Sequence, residues 1–356
     1  MAKKRENCNS FPPQWQALWA ERLIAWHRVS GRRNLPWHTR DPYRIWLSEV
    51  MLQQTQVTTV IPYYERFVAA WPTVEALAAA PLEAVLAAWS GLGYYARARN
   101  LHRAAQQIVR TWRGAWPHDP KQWAQLPGVG RSTAAAICAF AFGTRAAILD
   151  GNVERVLVRL FGIATPLPDS AVKRQLWQIA EALLPESNAA MPEYTQAQMD
   201  LGALVCTRGT PNCARCPVVE WCAAYAAGNA AALPQRKARA PVPEVDWTLR
   251  AYRCGTRYWW VRRPSQGIWG GLWTLPHADE PPPPGTWQHT TTEALPPHRL
   301  THRRLRITIE EWTTPPHLCY DSDSPAAGRW ASARDALAWW GLPRPLAAWA
   351  ETRAVS

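Results

Sequence analysis

Acidic residues are scarce in this chain beside basic ones, long apolar runs are missing, and no strong internal repeat occurs. No stretch of eighteen apolar residues is present, which excludes a helical membrane span. The N-terminal MAKKRENCNSFPPQW lacks the apolar core of a secretory signal. A soluble intracellular monomer, cytoplasmic or nucleoid-associated, is therefore expected. Asp and Glu number 27 against 40 Lys and Arg, a net charge of +13. Up to residue 246 there are 27 basic and 18 acidic residues, and beyond it 13 and 9, so the first part carries most of the excess. Such a charge favours a nucleic-acid partner.

The 356 residues suffice for two domains. Trp15, Leu18, Trp19, Leu23 and Trp26 recur at helical spacing over 14–30, and most of the 23 tryptophans are expected in cores. Asp41-Pro42 is a capped start for a helix over roughly 43–58. On that helix Glu49 stands among Trp46, Leu47, Val50 and Met51. The pattern allows either a solvent-facing glutamate or a desolvated carboxyl suited to donating a proton. Gln53, Gln54 and Gln56 add amides able to meet base edges. SGLGYYARARN at 90–100 offers Tyr94 and Tyr95 either as packing groups or as a surface that enters a base stack, with Arg97 and Arg99 beside them for phosphates.

The stretch 121–155 carries the strongest local signal. Pro127-Gly128-Val129-Gly130 makes a tight turn before an Ala-rich helix over 131–142. Its unpaired N–H groups suit either an ordinary helix joint or a phosphate seat, with Arg131, Ser132 and Thr133 close by. Asp150 follows in a Gly-Asn turn.

Of eight cysteines, four fall within seventeen residues as Cys206-x6-Cys213-x2-Cys216-x5-Cys222. That spacing suits one metal centre, zinc or a four-iron, four-sulfur cluster. With every ligand position filled by cysteine, its expected role is structural. The composition then turns to Ala, Pro and basic residues over 223–246, a linker, before strand-like segments at WTLRAY, RYWWVRR, GLWTLP and LRITIEEW and a helix after Ser332. The expected division is a helical domain over 1–222, a linker over 223–246, an α+β domain over 247–345 and a tail over 346–356.

SEVMLQQTQV at 48–57, GLGYYARARNLHRAA at 91–105, LPGVGRSTA at 126–134, ILDGNVERV at 148–156 and the cysteine loop together resemble the MutY family of helix-hairpin-helix adenine DNA glycosylases, as does RRPSQGIWGGLWTLP at 262–276. The resemblance implies a multidomain fold: an all-α helix-hairpin-helix glycosylase core with an iron-sulfur loop, followed by an α+β NUDIX-like domain. It implies a [4Fe–4S] cluster on Cys206, Cys213, Cys216 and Cys222, and duplex DNA bearing an 8-oxoguanine:adenine or guanine:adenine mispair as the substrate. Glu49 corresponds to the acid that protonates adenine, and Asp150 to the carboxylate that stabilises the cationic sugar. Gln53, Gln54, Tyr94, Gly128, Gly130, Arg131 and Ser132 fall in the DNA-contacting motifs, Gln54 and Tyr94 as residues that enter the stack.

Lyase-competent relatives resembling endonuclease III carry lysine where Ser132 stands. A serine cannot form the Schiff base of strand cleavage, so monofunctional base removal is expected. The second domain lacks the run of glutamates that a nucleotide hydrolase of the NUDIX type uses to bind magnesium. The resemblance gives it recognition of 8-oxoguanine instead, with Leu300-Thr301-His302 standing where the family has Phe-Ser-His.

Overall fold

A computed structural model describes residues 13–113, 115–237, 241–315 and 328–354. The chain runs through helices α1 (Pro13–Ser30), α2 (Pro42–Leu52), α3 (Val57–Ala70), α4 (Val74–Ala79), α5 (Leu82–Ala88), α6 (Ala96–Trp112) and α7 (Pro120–Trp123). Next come α8 (Arg131–Phe142), α9 (Gly151–Leu160), α10 (Ser170–Ala182), α11 (Met191–Asp200) and α12 (Ala223–Ala226). Strands β1 (Glu244–Cys254), β2 (Arg257–Arg262), β3 (Trp273–Thr274), β4 (Gln288–Ala294), β5 (His298–Arg299), β6 (Arg304–Thr313) and β7 (Arg329–Ser332) precede α13 (Ala333–Trp339) and α14 (Arg344–Arg353). No helix among the described residues is long and apolar enough to cross a membrane.

The residues group into two units, 1–64 with 107–238, and 65–106 with 239–356. The first is helical. Its core draws on Ala135, Ala136 and Ala139 of α8, whose small side chains let α2 and α11 pack closely against that helix. Val153, Val156, Leu157 and Leu160 give α9 one apolar face at the i, i+3, i+4, i+7 spacing. Beyond α11 the chain makes a π-helical turn over Leu201–Val205. A Cβ at Gly202 there would lie 2.6 Å from Cβ of Asn152, so glycine permits the close approach to α9.

In the second unit β1 and β6 pair in parallel, with Leu249 opposite Ile309, and the other pairings are antiparallel. One sheet face is filled by Leu249, Tyr258, Trp260, Ile307 and Ile309 against Trp340 and Trp349. Trp19, Trp46, Trp89, Trp123 and Trp260 are among the largest fully buried side chains, so these tryptophans serve packing.

Three sequence expectations change in the fold. The helix carrying Glu49 ends at Leu52 rather than near 58, because the chain turns at Gln53 and Gln54, the latter at φ +59°. The interval 223–246 contributes buried Ala224 and Leu233 to the helical core, then enters β1 at Glu244. Residues 346–356, expected as a tail, carry most of α14, which buries Leu346, Trp349 and Ala350.

Candidate active site

Asp41 caps α2 as its sequence implies, its Oδ1 accepting from the Tyr43 N–H at 2.9 Å, with Pro42 in the first turn. The helix then buries Ile45, Trp46, Leu47, Val50 and Met51, and the half-buried Glu49 lies among them. Glu49 lines a cavity of about 330 Å³, together with His27, Trp37, His38, Arg40, Phe140, Glu193 and Gln196 among others. Burial pushes its carboxyl up to about 8, and the charge of Asp150 adds to the shift. Its surroundings are those of a partly desolvated carboxyl rather than of a solvent-facing glutamate.

Asp150 caps α9. Its Oδ1 accepts from the Val153 N–H at 2.9 Å and its Oδ2 from the Asn152 amide at 3.1 Å. The segment entering Asp150 is tied to α8, because Ser132 Oγ accepts from the Leu149 N–H at 2.9 Å. Ser132 thus joins the hairpin helix to the approach to Asp150. The hairpin turn has Gly128 at φ +80° and Gly130 as the α8 N-cap without a side-chain bond. The Gln53 amide donates to the Gly128 carbonyl at 3.2 Å, so this residue braces the turn. Gly128→Ala should therefore cost about 1–2 kcal/mol. A lowered Tm together with weaker duplex binding is the expected result, measured by thermal melting and fluorescence anisotropy.

The remaining candidates divide. Gln54 is exposed. Arg131 lies 3.8 Å over the Trp177 ring and pairs with Glu181, so it packs onto α10. In the second unit Tyr94 is 50% exposed at φ +48°. Tyr95 instead packs inward, its hydroxyl donating to the Leu342 carbonyl at 2.8 Å. One of the two readings of this turn gave Arg97 and Arg99 to phosphates, but Arg97 is buried against the carbonyls of Leu92 and Gly93, and Arg99 donates to the carbonyl of Gly270. Leu300 packs on the core of the second unit at the β5–β6 turn, closed by its N–H on the Arg303 carbonyl at 2.8 Å. Thr301 and His302 are exposed at its tip, while Arg304 pairs with Glu244 at 3.2 Å.

The expected [4Fe–4S] cluster is not supported. Among the described residues no group of three or more His, Cys, Asp or Glu is placed to hold a metal ion. Cys206, Cys213, Cys216 and Cys222 do line one cavity, but it measures only about 30 Å³, room for one or two waters. Burial pushes the Cys216 thiol up to about 12 and raises that of Cys222. Spacing brought the four cysteines to one loop without converging them on a metal.

Residues 47–182 match the family model described as "HhH-GPD superfamily base excision DNA repair protein", and 248–351 match the NUDIX domain model. The adenine DNA glycosylase of Buchnera aphidicola subsp. Schizaphis graminum is 34% identical over 263 residues, covering 74% of this chain and 75% of that one. The chain belongs to the adenine DNA glycosylase family. The human adenine DNA glycosylase is 34% identical over 348 residues, 82% of this chain and 61% of its own length. A solved thermostable thymine-DNA glycosylase matches with a TM-score of 0.54 at 27% identity, over 60% of this chain and 98% of that one.

His27, Glu193 and Gln196 are cavity residues that reading the sequence missed. They come from α1 and α11, and no local motif links those helices. One signal was present: Gly31 follows His27 by four residues, and its missing Cβ makes room for the ring.

Proposed function

We propose that this glycosylase removes adenine from 8-oxoguanine:adenine and guanine:adenine pairs in duplex DNA, with Glu49 as the acid and Asp150 as the sugar-facing carboxylate. The observation that carries the reading is a carboxyl poised near pH 8 on the wall of a 330 Å³ cavity, within the field of a second carboxylate. A cavity of that size suits a base taken out of the stack.

Adenine leaves poorly as an anion. Glu49 gives its proton to N7, the C–N bond breaks with its electron pair going to a now neutral base, and the sugar is left cationic. Asp150, oriented by the Val153 and Asn152 donors, stabilises that cation until water adds and loses a proton. The product is an abasic site. The logic matches two-carboxylate glycoside hydrolysis.

Ser132 has no amine to form a Schiff base, which supports base removal without strand cleavage. The Gly128–Gly130 turn serves as the phosphate seat, and Gln54 and Tyr94 as the residues that enter the stack. Thr301 and His302, exposed at their turn, offer a hydroxyl and an imidazole to the opposite lesion, while Leu300 anchors the turn.

A panel of duplexes under single-turnover conditions, followed by alkaline cleavage, tests this. Strand breaks only at adenine opposite 8-oxoguanine or guanine, and only after alkali, are expected. Cleavage at oxidised pyrimidines, or breaks without alkali, would refute it.

A further inference from the structure

Tyr94, the residue given to the base stack, is half exposed and stands at φ +48°, a backbone region that suits glycine. A bulky residue keeps that conformation only where its surroundings fix it. Gly91 at φ +91° and Gly93 at φ +74° let the chain make the turn but do not hold it. Side chains do. Trp89 Nε1 donates to the Gly93 carbonyl at 3.0 Å, and Arg97 Nη2 donates to the same carbonyl at 3.1 Å. A third tie comes from the NUDIX-like domain. The Tyr95 hydroxyl accepts from the Gly91 N–H at 3.1 Å and donates to the Leu342 carbonyl at 2.8 Å, and the Ser90 hydroxyl donates to that carbonyl at 3.3 Å.

Leu342 is a firm anchor. It is buried in the core with Trp273, Trp340 and Trp349, and the Trp273 N–H donates to the carbonyl of the preceding Gly341 at 3.0 Å. A Cβ at Gly341 would lie 2.9 Å from the Leu86 carbonyl oxygen, so glycine lets this segment approach the backbone of α5 closely. The Arg262–Glu83 pair at 3.1 Å and the bond from Arg99 to the Gly270 carbonyl add to the same junction. We propose that Tyr95 is a positioning residue that keys the Tyr94 turn to the NUDIX-like domain, so that this domain sets the side chain that enters the stack. Two hydrogen bonds on one phenolic oxygen hold Gly91 against Leu342, and Tyr95 acts on the DNA only through its neighbour. The proposal rests on the reading that Tyr94 enters the stack.

The test is a double-mutant cycle on the full chain. It is read by the single-turnover rate of adenine release and by the fluorescence of a 2-aminopurine placed next to the 8-oxoguanine, which brightens when the stack opens. Excision by the wild type is checked first, and its absence would sink the proposed function itself. Tyr94→Ala should then slow release and dim the fluorescence; no effect would sink the stack-entry reading and the proposal with it. Tyr95→Phe keeps the ring and removes the key, and should slow release about tenfold with a matching loss of brightening. In the Tyr94→Ala background the same change should cost less than about twofold, because the residue it positions is gone. A merely structural role predicts the full loss in both backgrounds, and that result, or no loss in the wild type, would overturn the proposal. Ser90→Ala removes the second donor to Leu342 with less risk to the fold. It should show a smaller loss that also vanishes without Tyr94, and a loss that persists there would overturn the proposal equally.

Discussion

Asp150→Asn should lower the single-turnover rate of adenine excision by about a thousandfold or more while changing duplex affinity less than tenfold. The substitution separates charge from architecture. Asparagine is as good a helix cap as aspartate, and its amide oxygen can still accept from Val153, so α9 should keep its start and the melting temperature should hold within a few degrees. What disappears is the anion proposed to stabilise the cationic sugar. The neighbouring Asn152 amide, which donates to Oδ2, then meets a group that no longer presents two acceptors. A further consequence is readable at Glu49. Part of its raised pKa comes from the Asp150 charge, so residual activity should lose its alkaline side at lower pH than in the wild type. A variant with near-normal rate would remove Asp150 from the reaction.

Glu49→Gln should reduce excision by about 10²–10⁴-fold at neutral pH, because glutamine keeps the shape and hydrogen-bonding capacity but has no proton to give. It should also stabilise the fold at high pH. The protonated carboxyl of the folded protein contributes stability that is fully present below its ordinary value of 4.5 and is lost as pH rises through about 8. Above that, the wild type carries a desolvated charge that glutamine avoids, a difference of up to about 5 kcal/mol. Denaturant melts at pH 5 and pH 9 should therefore diverge for wild type and variant only at the higher pH. Parallel melts would mean that Glu49 is well solvated.

The residues that were legible in the sequence share one property: their chemistry is announced by near neighbours. Glu49 was visible as a carboxyl among apolar residues of one helix, Gly128 by the turn it must make, and Asp150 by the Gly-Asn helix start behind it. Glu193 had no such announcement, and His27 only the space that Gly31 leaves for its ring. Helix α1 and the segment that follows it meet α11 through the Arg28–Glu193 and Arg32–Asp200 pairs, across 165 and 168 residues, and only the fold brings these together. Strand β4, QHTTTEA, was missed because its residues are almost all exposed and so carry no alternation. Helix α14 could have been found from Pro343, followed by Leu346, Trp349 and Ala350 at helical spacing. The cysteine loop shows the opposite failure, since spacing states how near four thiols are along the chain and not whether their sulfurs converge.

The most direct measurement is the wild-type single-turnover rate of adenine release from an 8-oxoguanine:adenine duplex as a function of pH. A protonated Glu49 as the acid predicts a rate that holds through neutral pH and falls as pH rises through about 8. A rate that climbs through that same range would mean the ionised carboxylate is the active form, and would contradict the account.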